Sequence, residues 1–238
     1  MDARVRAGAE EEEEASEEAL KQNWPLTPTL SPLRREREKG HMFRLALLTI
    51  GLGSGCAFTP DLIRLDPPTP MAAPVPGAER IELKLAVEDL RQDPSQVVAR
   101  KINGFGMRLA EITSEEPVAE VLYRAAGAAL LARGYRVVEA GPVTLTLELL
   151  VFSHEFRTGF WVGRSEALVI FLATVRDAEG RERFRRVVSQ TSSQPVQLAS
   201  GANVKKTYEE ALAQALESLL GDDAFRAALP PSLAPPVL

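Results

Sequence analysis

Val143–Val151 reads VTLTLELLV, and its apolar residues Val143, Leu145, Leu147, Leu149 and Val151 alternate with Thr144, Thr146 and Glu148. A period of two sends successive side chains to opposite sides of an extended backbone, so the stretch is predicted to be a strand with one buried face. Downstream, Glu166–Arg176 is apolar on both sides through Ala167, Leu168, Val169, Ile170, Phe171 and Leu172, the pattern of a strand inside a sheet. Asp177-Ala178-Glu179-Gly180 supplies a turn, with Gly180 able to take a left-handed conformation, and leads into a strand over Arg181–Gln190. Upstream, Tyr135–Glu139 is a short strand broken off by Ala140-Gly141-Pro142. Earlier still, Ile81, Leu83, Leu85 and Val87 alternate with Glu82, Lys84 and Glu88 until the turn residues Asp93-Pro94-Ser95. A further extended segment, Val97–Ile112, is interrupted by Asn103-Gly104-Phe105-Gly106.

Two stretches change period. After Ser114-Glu115-Glu116-Pro117, the apolar residues Val118, Val121, Leu122, Ala125, Ala129 and Leu130 recur at spacings of three and four until Gly134. Ser114 is placed to cap this helix, the carboxylates suit its positive end, and proline is tolerated in its first turn. A second helix is expected over Val204–Leu220, with Tyr208, Ala211, Leu212, Ala215, Leu216 and Leu219 on one face and Gly221 at its end. Five or six strands with two helices between runs of strand indicate an α+β two-layer sandwich with a mainly antiparallel sheet. This single domain spans residues 80–229.

The segments before it address the chain rather than build it. Leu47–Cys56, LLTIGLGSGC, follows Met42 and the basic Arg44, and the apolar run Phe43–Leu52 is about half the length needed to cross a bilayer. An apolar run of this length ending in small residues reads as a signal peptide, residues 42–55. Cleavage between Gly55 and Cys56 leaves the only cysteine of the chain at the mature N-terminus, able to carry lipid. A cleaved signal without lipid and a core cysteine behind an apolar strand are the competing readings. Residues 1–41 hold the acidic run Glu10–Glu14 and the aperiodic stretch Pro25–Gly40, which cannot bury enough surface to offset ordering entropy. They read as a start called too early or as a disordered tail. Residues 56–79, with Pro60, Pro67, Pro68, Pro70, Pro74 and Pro76, read as a semi-rigid spacer holding the domain off the membrane. Pro230–Leu238 reads as a second disordered tail.

Charge excludes several function classes. Removing residues 1–56 takes 8 of 28 basic and 10 of 33 acidic groups, leaving 20 against 23. That balance gives no electrostatic case for nucleic acid or for an anionic surface. The cluster Arg181, Arg183, Arg185 and Arg186 alternates with Glu182 and Phe184 and reads as a solvated strand face. No disulfide can form within a chain holding one cysteine.

The signal, the Cys56 collar, the proline-rich stretch, Lys101–Met107 (KINGFGM) and the helix exit Ala132–Val138 together resemble the YajG family of bacterial lipoproteins, over about Met42–Leu229. The resemblance implies an outer-membrane-anchored domain facing the periplasm. It brings no catalytic residues.

Chemical motifs are weak. Gly104-Phe105-Gly106 begins like a dinucleotide loop, but Leu109 stands at the third glycine position, so a turn is the better reading and no cofactor is expected. A serine–histidine arrangement or a metal site would have to be built on His154, which beside Glu155 reads as a solvent-facing strand residue. The connection Phe156–Arg164 is aromatic for a hairpin tip, and Phe160, Trp161 and Arg164 are its candidate interaction residues. Folding back of Phe160 and Trp161 onto the sheet is the alternative. The chain is therefore expected to be a non-enzymatic envelope interaction or assembly module, bound to the membrane through Cys56 and to an envelope component through this tip. The alternative is an accessory lipoprotein of lipid or lipopolysaccharide transport that holds acyl chains between sheet and helices.

Overall fold

A computed structural model describes residues 58–70, 73–103, 105–157 and 162–229. The strands are β1 (Asp61–Ile63), β2 (Glu82–Asp89), β3 (Val97–Ile102), β4 (Arg108–Ser114), β5 (Arg136–Val137), β6 (Val143–Arg157), β7 (Gly163–Arg176) and β8 (Glu182–Val196). The helices are α1 (Val118–Ala132), α2 (Gly201–Leu220) and the short α3 (Asp223–Ala227). The expected α+β class holds, with the strands divided between two sheets. Five strands run in the order β5-β2-β6-β7-β8 and three in the order β1-β4-β3. The pairs β3–β4, β6–β7 and β7–β8 are antiparallel, while β1–β4, β2–β5 and β2–β6 are parallel. The β2–β6 pair is parallel because the β3–β4 hairpin, α1 and β5 intervene between its strands, a connection long enough to cross over.

The core lies between the larger sheet and the two long helices. Leu83 of β2, Leu145, Leu147 and Leu149 of β6, and Ala167, Val169 and Phe171 of β7 meet Val121, Leu122 and Leu130 of α1 and Ala211, Leu212 and Leu216 of α2, all at most 2% exposed. The helix faces are those expected from the apolar spacing. Gly134, at φ +93°, ends α1, and Gly180, at φ +78°, turns β7 into β8. Ser114 does not cap α1: Pro117 stands at the cap position, and Ser114 closes β4 with its Oγ buried and unpartnered. Ser200 caps α2, its Oγ accepting from Asn203 N at 3.4 Å. Helix α3 was not expected. Asp222 starts it by accepting from Ala224 N, and it buries Phe225 edge-on to Phe184 at 5.6 Å, worth about 2 kcal/mol.

Strand β6 changes face partway along. Its odd residues from Val143 to Leu149 point inward; the pairing with β7 then shifts between Leu149 and Val151, and Phe152, His154 and Phe156 become the inward residues. One extra residue in a strand reverses every side chain beyond it. The β3 strand lies against this second half of β6, and Phe152 stacks on Tyr208 of α2 with ring centroids 3.9 Å apart.

Candidate functional site

Segment 61–66, read as spacer, is strapped to the domain. Ile63 and Leu65 are buried at 6% and 1%, and β1 adds a parallel edge to β4. Asp61 carries two contacts: Lys101 Nζ donates to its Oδ1 at 2.8 Å, and Gly201 N at the start of α2 donates to its Oδ2 at 2.7 Å. Lys101 Nζ also donates to Thr59 O at 2.9 Å. Farther along, Lys205 Nζ donates to Arg64 O, Arg124 Nη2 to Leu65 O at 2.9 Å, and Asp66 N to Glu209 Oε1 at 2.6 Å. Val75 N then donates to Arg133 O at 2.9 Å, and Ala78 is fully buried. Proline content alone points to a free spacer; the apolar residues Leu62, Ile63 and Leu65 between Asp61 and Asp66 are the sequence signal that this stretch packs, with Ile63 and Leu65 turned inward and Leu62 left exposed. Cys56 and Gly55, the expected lipidation and cleavage residues, lie outside the described residues.

His154 is half-buried rather than solvent-facing, because the shift in β6 turns it inward. Its Nε2 shares a hydrogen bond of 2.8 Å with Ser165 Oγ, which lies 3.4 Å from Thr207 Oγ1 of α2. Phe156 meets the imidazole edge-on at 4.5 Å, and Tyr208 lies beyond at 5.8 Å. Burial pushes the imidazole down to about 4, so it is neutral at neutral pH. Burial likewise pushes the Tyr208 phenol well above its ordinary value, and its hydroxyl donates to Val98 O of β3 at 2.7 Å.

This arrangement is poorly built for nucleophilic chemistry. Ser165 is 0% exposed and so presents no oxygen to a substrate, and His154 Nδ1 is buried without the carboxylate that would orient a catalytic base. What the cluster does is join β6, β7 and α2. Beside it runs an open hollow of about 250 Å3 between β3 and β6, lined by Val98, Arg100, Arg108, His154 and Phe156. Among the described residues, no group of three or more histidine, cysteine or acidic side chains could hold a metal ion.

At the β6–β7 tip, Phe160 and Trp161 lie outside the described residues. Arg164 is exposed within β7, paired in register with Arg157 and Pro195, while Arg157 itself meets Glu155 and Glu166. The arginines at 181, 183, 185 and 186 are exposed and engage Asp177, Glu179, Glu182 and Asp222. Asn103 Oδ1 accepts from Phe105 N at 2.9 Å and Met107 N at 3.0 Å, so the glycine-containing segment is a turn closed by its own asparagine.

The outer face of the larger sheet also carries apolar side chains, which no local sequence motif marks. Leu168 and Ile170 are part-exposed there, Leu172 is buried at 8%, and Val187 beside it is 56% exposed. Ile170 pairs with Val151, and Leu172 with Val187. The apolar run at 167–172 fits an interior strand, yet half of such a strand's side chains point away from the helices. No described helix is long and apolar enough to cross a membrane.

Comparison with known proteins gives a family and a set of distant structural likenesses. Residues 67–230 match the family described as uncharacterized lipoprotein. No curated protein matches the chain. A Xanthomonas campestris protein of known crystal structure is 16% identical, with 71% of this chain and 96% of that one covered and a TM-score of 0.47. A minor lipoprotein from Acinetobacter baumannii is 10% identical, covering 65% of this chain and 98% of that one, at a TM-score of 0.39. Rare lipoprotein B from Shewanella oneidensis is 14% identical, covering 58% and 94%, at a TM-score of 0.33. With more than half of its length matched by the family model, the chain belongs to this family of uncharacterized lipoproteins.

Proposed function

We propose that the chain is a YajG-type lipoprotein, anchored in the outer membrane through lipid on Cys56 and facing the periplasm, where it acts as a non-enzymatic interaction or assembly module. Family membership supports the lipid anchor. The observation that carries the interaction role is the apolar stripe on the outer face of the sheet, Val151, Leu168, Ile170 and Val187, which no described element covers. Contiguous apolar surface rimmed by polar residues is the usual mark of a binding face. The filled sheet–helix interface favours this role over acyl-chain carriage, which needs a continuous apolar cavity there.

Placement in the outer membrane rests on Ala57, since an aspartate directly after the lipidated cysteine favours inner-membrane retention in many bacteria. The test is density separation of envelope membranes, with a photo-crosslinking residue placed at Ile170 or, for comparison, at Leu131 on α1. The reading expects the chain in outer-membrane fractions, with a discrete adduct from position 170 alone. Inner-membrane location, or no adduct from 170, contradicts it.

A further inference from the structure

Several of the large apolar residues exposed among the described ones gather at one end of the domain. Phe58 is 66% exposed, Phe105 89%, Met107 59% and Leu198 77%. The hydrogen bonds and registers place all four at one end. Lys101, one residue before the end of β3, holds Thr59 O and Asp61, which brings Phe58 to the mouth of the β3–β4 hairpin. Ile102 pairs with Arg108 across that hairpin, so Phe105 and Met107 form its tip. Asp61 in turn holds Gly201 N, which brings the β8–α2 connection and Leu198 to the same end. Strand β6 also runs toward this end, its His154–Phe156 segment lining one hollow with Ile102 and Arg108. The opposite end has a different character: the β7–β8 turn there is tied by Asp177, Glu179 and Arg181.

Chain length fixes which end meets the membrane. Only one residue, Ala57, separates Cys56 from Phe58. Two residue steps span at most about 7 Å when fully extended. The headgroup layer on each side of a bilayer is about 5–8 Å deep. A lipid on Cys56 therefore leaves Phe58 within about one headgroup layer of the acyl chains. The prolines that follow do not lengthen the reach, because the chain is already clamped at Thr59 and Asp61.

We infer that the mature domain rests directly on the bilayer that carries its anchor, with Phe58, the Phe105–Met107 turn and Leu198 set into the headgroup layer. The inference rests on lipidation of Cys56. Arg108 and Arg164, at the same end, are exposed and make no ion pair among the described residues, so both are available to lipid phosphates. The domain is thus held close and in one orientation, with α1 and the sheet's apolar stripe away from the contact. Interfacial binding of this kind scales with the apolar area inserted, so it persists in salt that screens surface charge.

The test uses the full, processed, acylated chain reconstituted into vesicles of phosphatidylethanolamine and phosphatidylglycerol. Because Cys56 is the only cysteine and the lipid consumes its thiol, a fluorophore can be placed singly through Phe105→Cys, Leu198→Cys, Leu131→Cys or Val187→Cys. Lipids bearing a quencher at the interface should dim the labels at 105 and 198 by about twofold or more, and leave those at 131 and 187 unchanged. With the label at Met107→Cys, adding Phe105→Asp and Leu198→Asp should abolish the quenching, and exposed positions tolerate such changes. Chains that float with vesicles but show equal quenching at all four positions overturn the inference while leaving the anchor intact. Chains that do not float overturn both. Labels at 105 and 198 that become shielded only when envelope protein is added assign this end to a protein partner and overturn it too.

Discussion

Removing the imidazole at His154 should flatten a defined part of the pH dependence of folding. In the folded chain burial holds this group at about 4, against 6.5 when solvated. Between those values the unfolded chain binds a proton that the folded chain refuses, so stability falls as pH falls from about 6.5 to about 4 and is unaffected by this group outside the window. The gap of about 2.5 units at 1.36 kcal/mol each corresponds to about 3 kcal/mol. His154→Gln keeps a polar group facing Ser165 Oγ, 2.8 Å from the native Nε2, but does not titrate. Urea unfolding of both proteins at pH 7.5, 6, 5 and 4 separates this effect from carboxylate titration, which is common to both. Whatever the variant's cost at pH 7.5, the native chain should lose about 3 kcal/mol of its relative advantage by pH 4. Parallel curves would show that the imidazole is solvated in the folded protein, and the reasoning built on the reversed face of β6 would fall.

Four single variants extend the test. D61N removes the carboxylate from the buried Lys101 ammonium, and the part-exposed position of Asp61 limits the loss to about 2 kcal/mol or slightly more, read as a lower urea midpoint; an unchanged midpoint would mean that the 61–66 segment is not clamped. Tyr208→Phe deletes the hydroxyl that donates to Val98 O and leaves a buried acceptor, which should cost about 1–3 kcal/mol by the same assay, and no loss would detach α2 from β3. Arg164→Ala, at an exposed strand end, should change stability by no more than about 0.5 kcal/mol, whereas Trp161→Ala should cost about 3–5 kcal/mol if the ring folds onto the sheet. A stable Trp161→Ala chain that loses its envelope partners assigns the tip to recognition.

Most of the fold was legible because its elements obey one period at a time. Val143–Leu149 alternates and Val118–Leu130 recurs at three and four, and both were read with the correct inward faces. The errors sit where a second force intervenes. Leu149–Phe152 are four apolar residues in succession, where alternation no longer marks which face is inward, and the register shift there carries β6 on to Arg157 and turns His154 inward. Strand β8 runs past Gln190 to Val196 although Thr191–Gln194 is polar. Its polar side chains have partners on α2: Ser192 Oγ donates to Glu210 at 2.9 Å, and Gln194 Nε2 to Asn203 O at 3.1 Å. Such partners come from sequence far away, so no local pattern announces them. The same holds for the site at the hairpin end. Phe58, Phe105 and Leu198 are each unremarkable in sequence, and only Asp61, holding both Lys101 and Gly201, gathers them.

The proposed location of the protein depends on the chemistry of Cys56. Trypsin should release Cys56–Arg64 as the first peptide of the mature protein, since Arg64 is the next basic residue. Mass spectrometry of that peptide, from protein extracted with detergent from the envelope of cells expressing the full reading frame, tests the central claim directly. The expected peptide starts at Cys56, with its sulfur carrying a diacylglyceryl group and its amine acylated. An unmodified Cys56–Arg64 peptide, or a Leu45–Arg64 peptide uncut after Gly55, would contradict it.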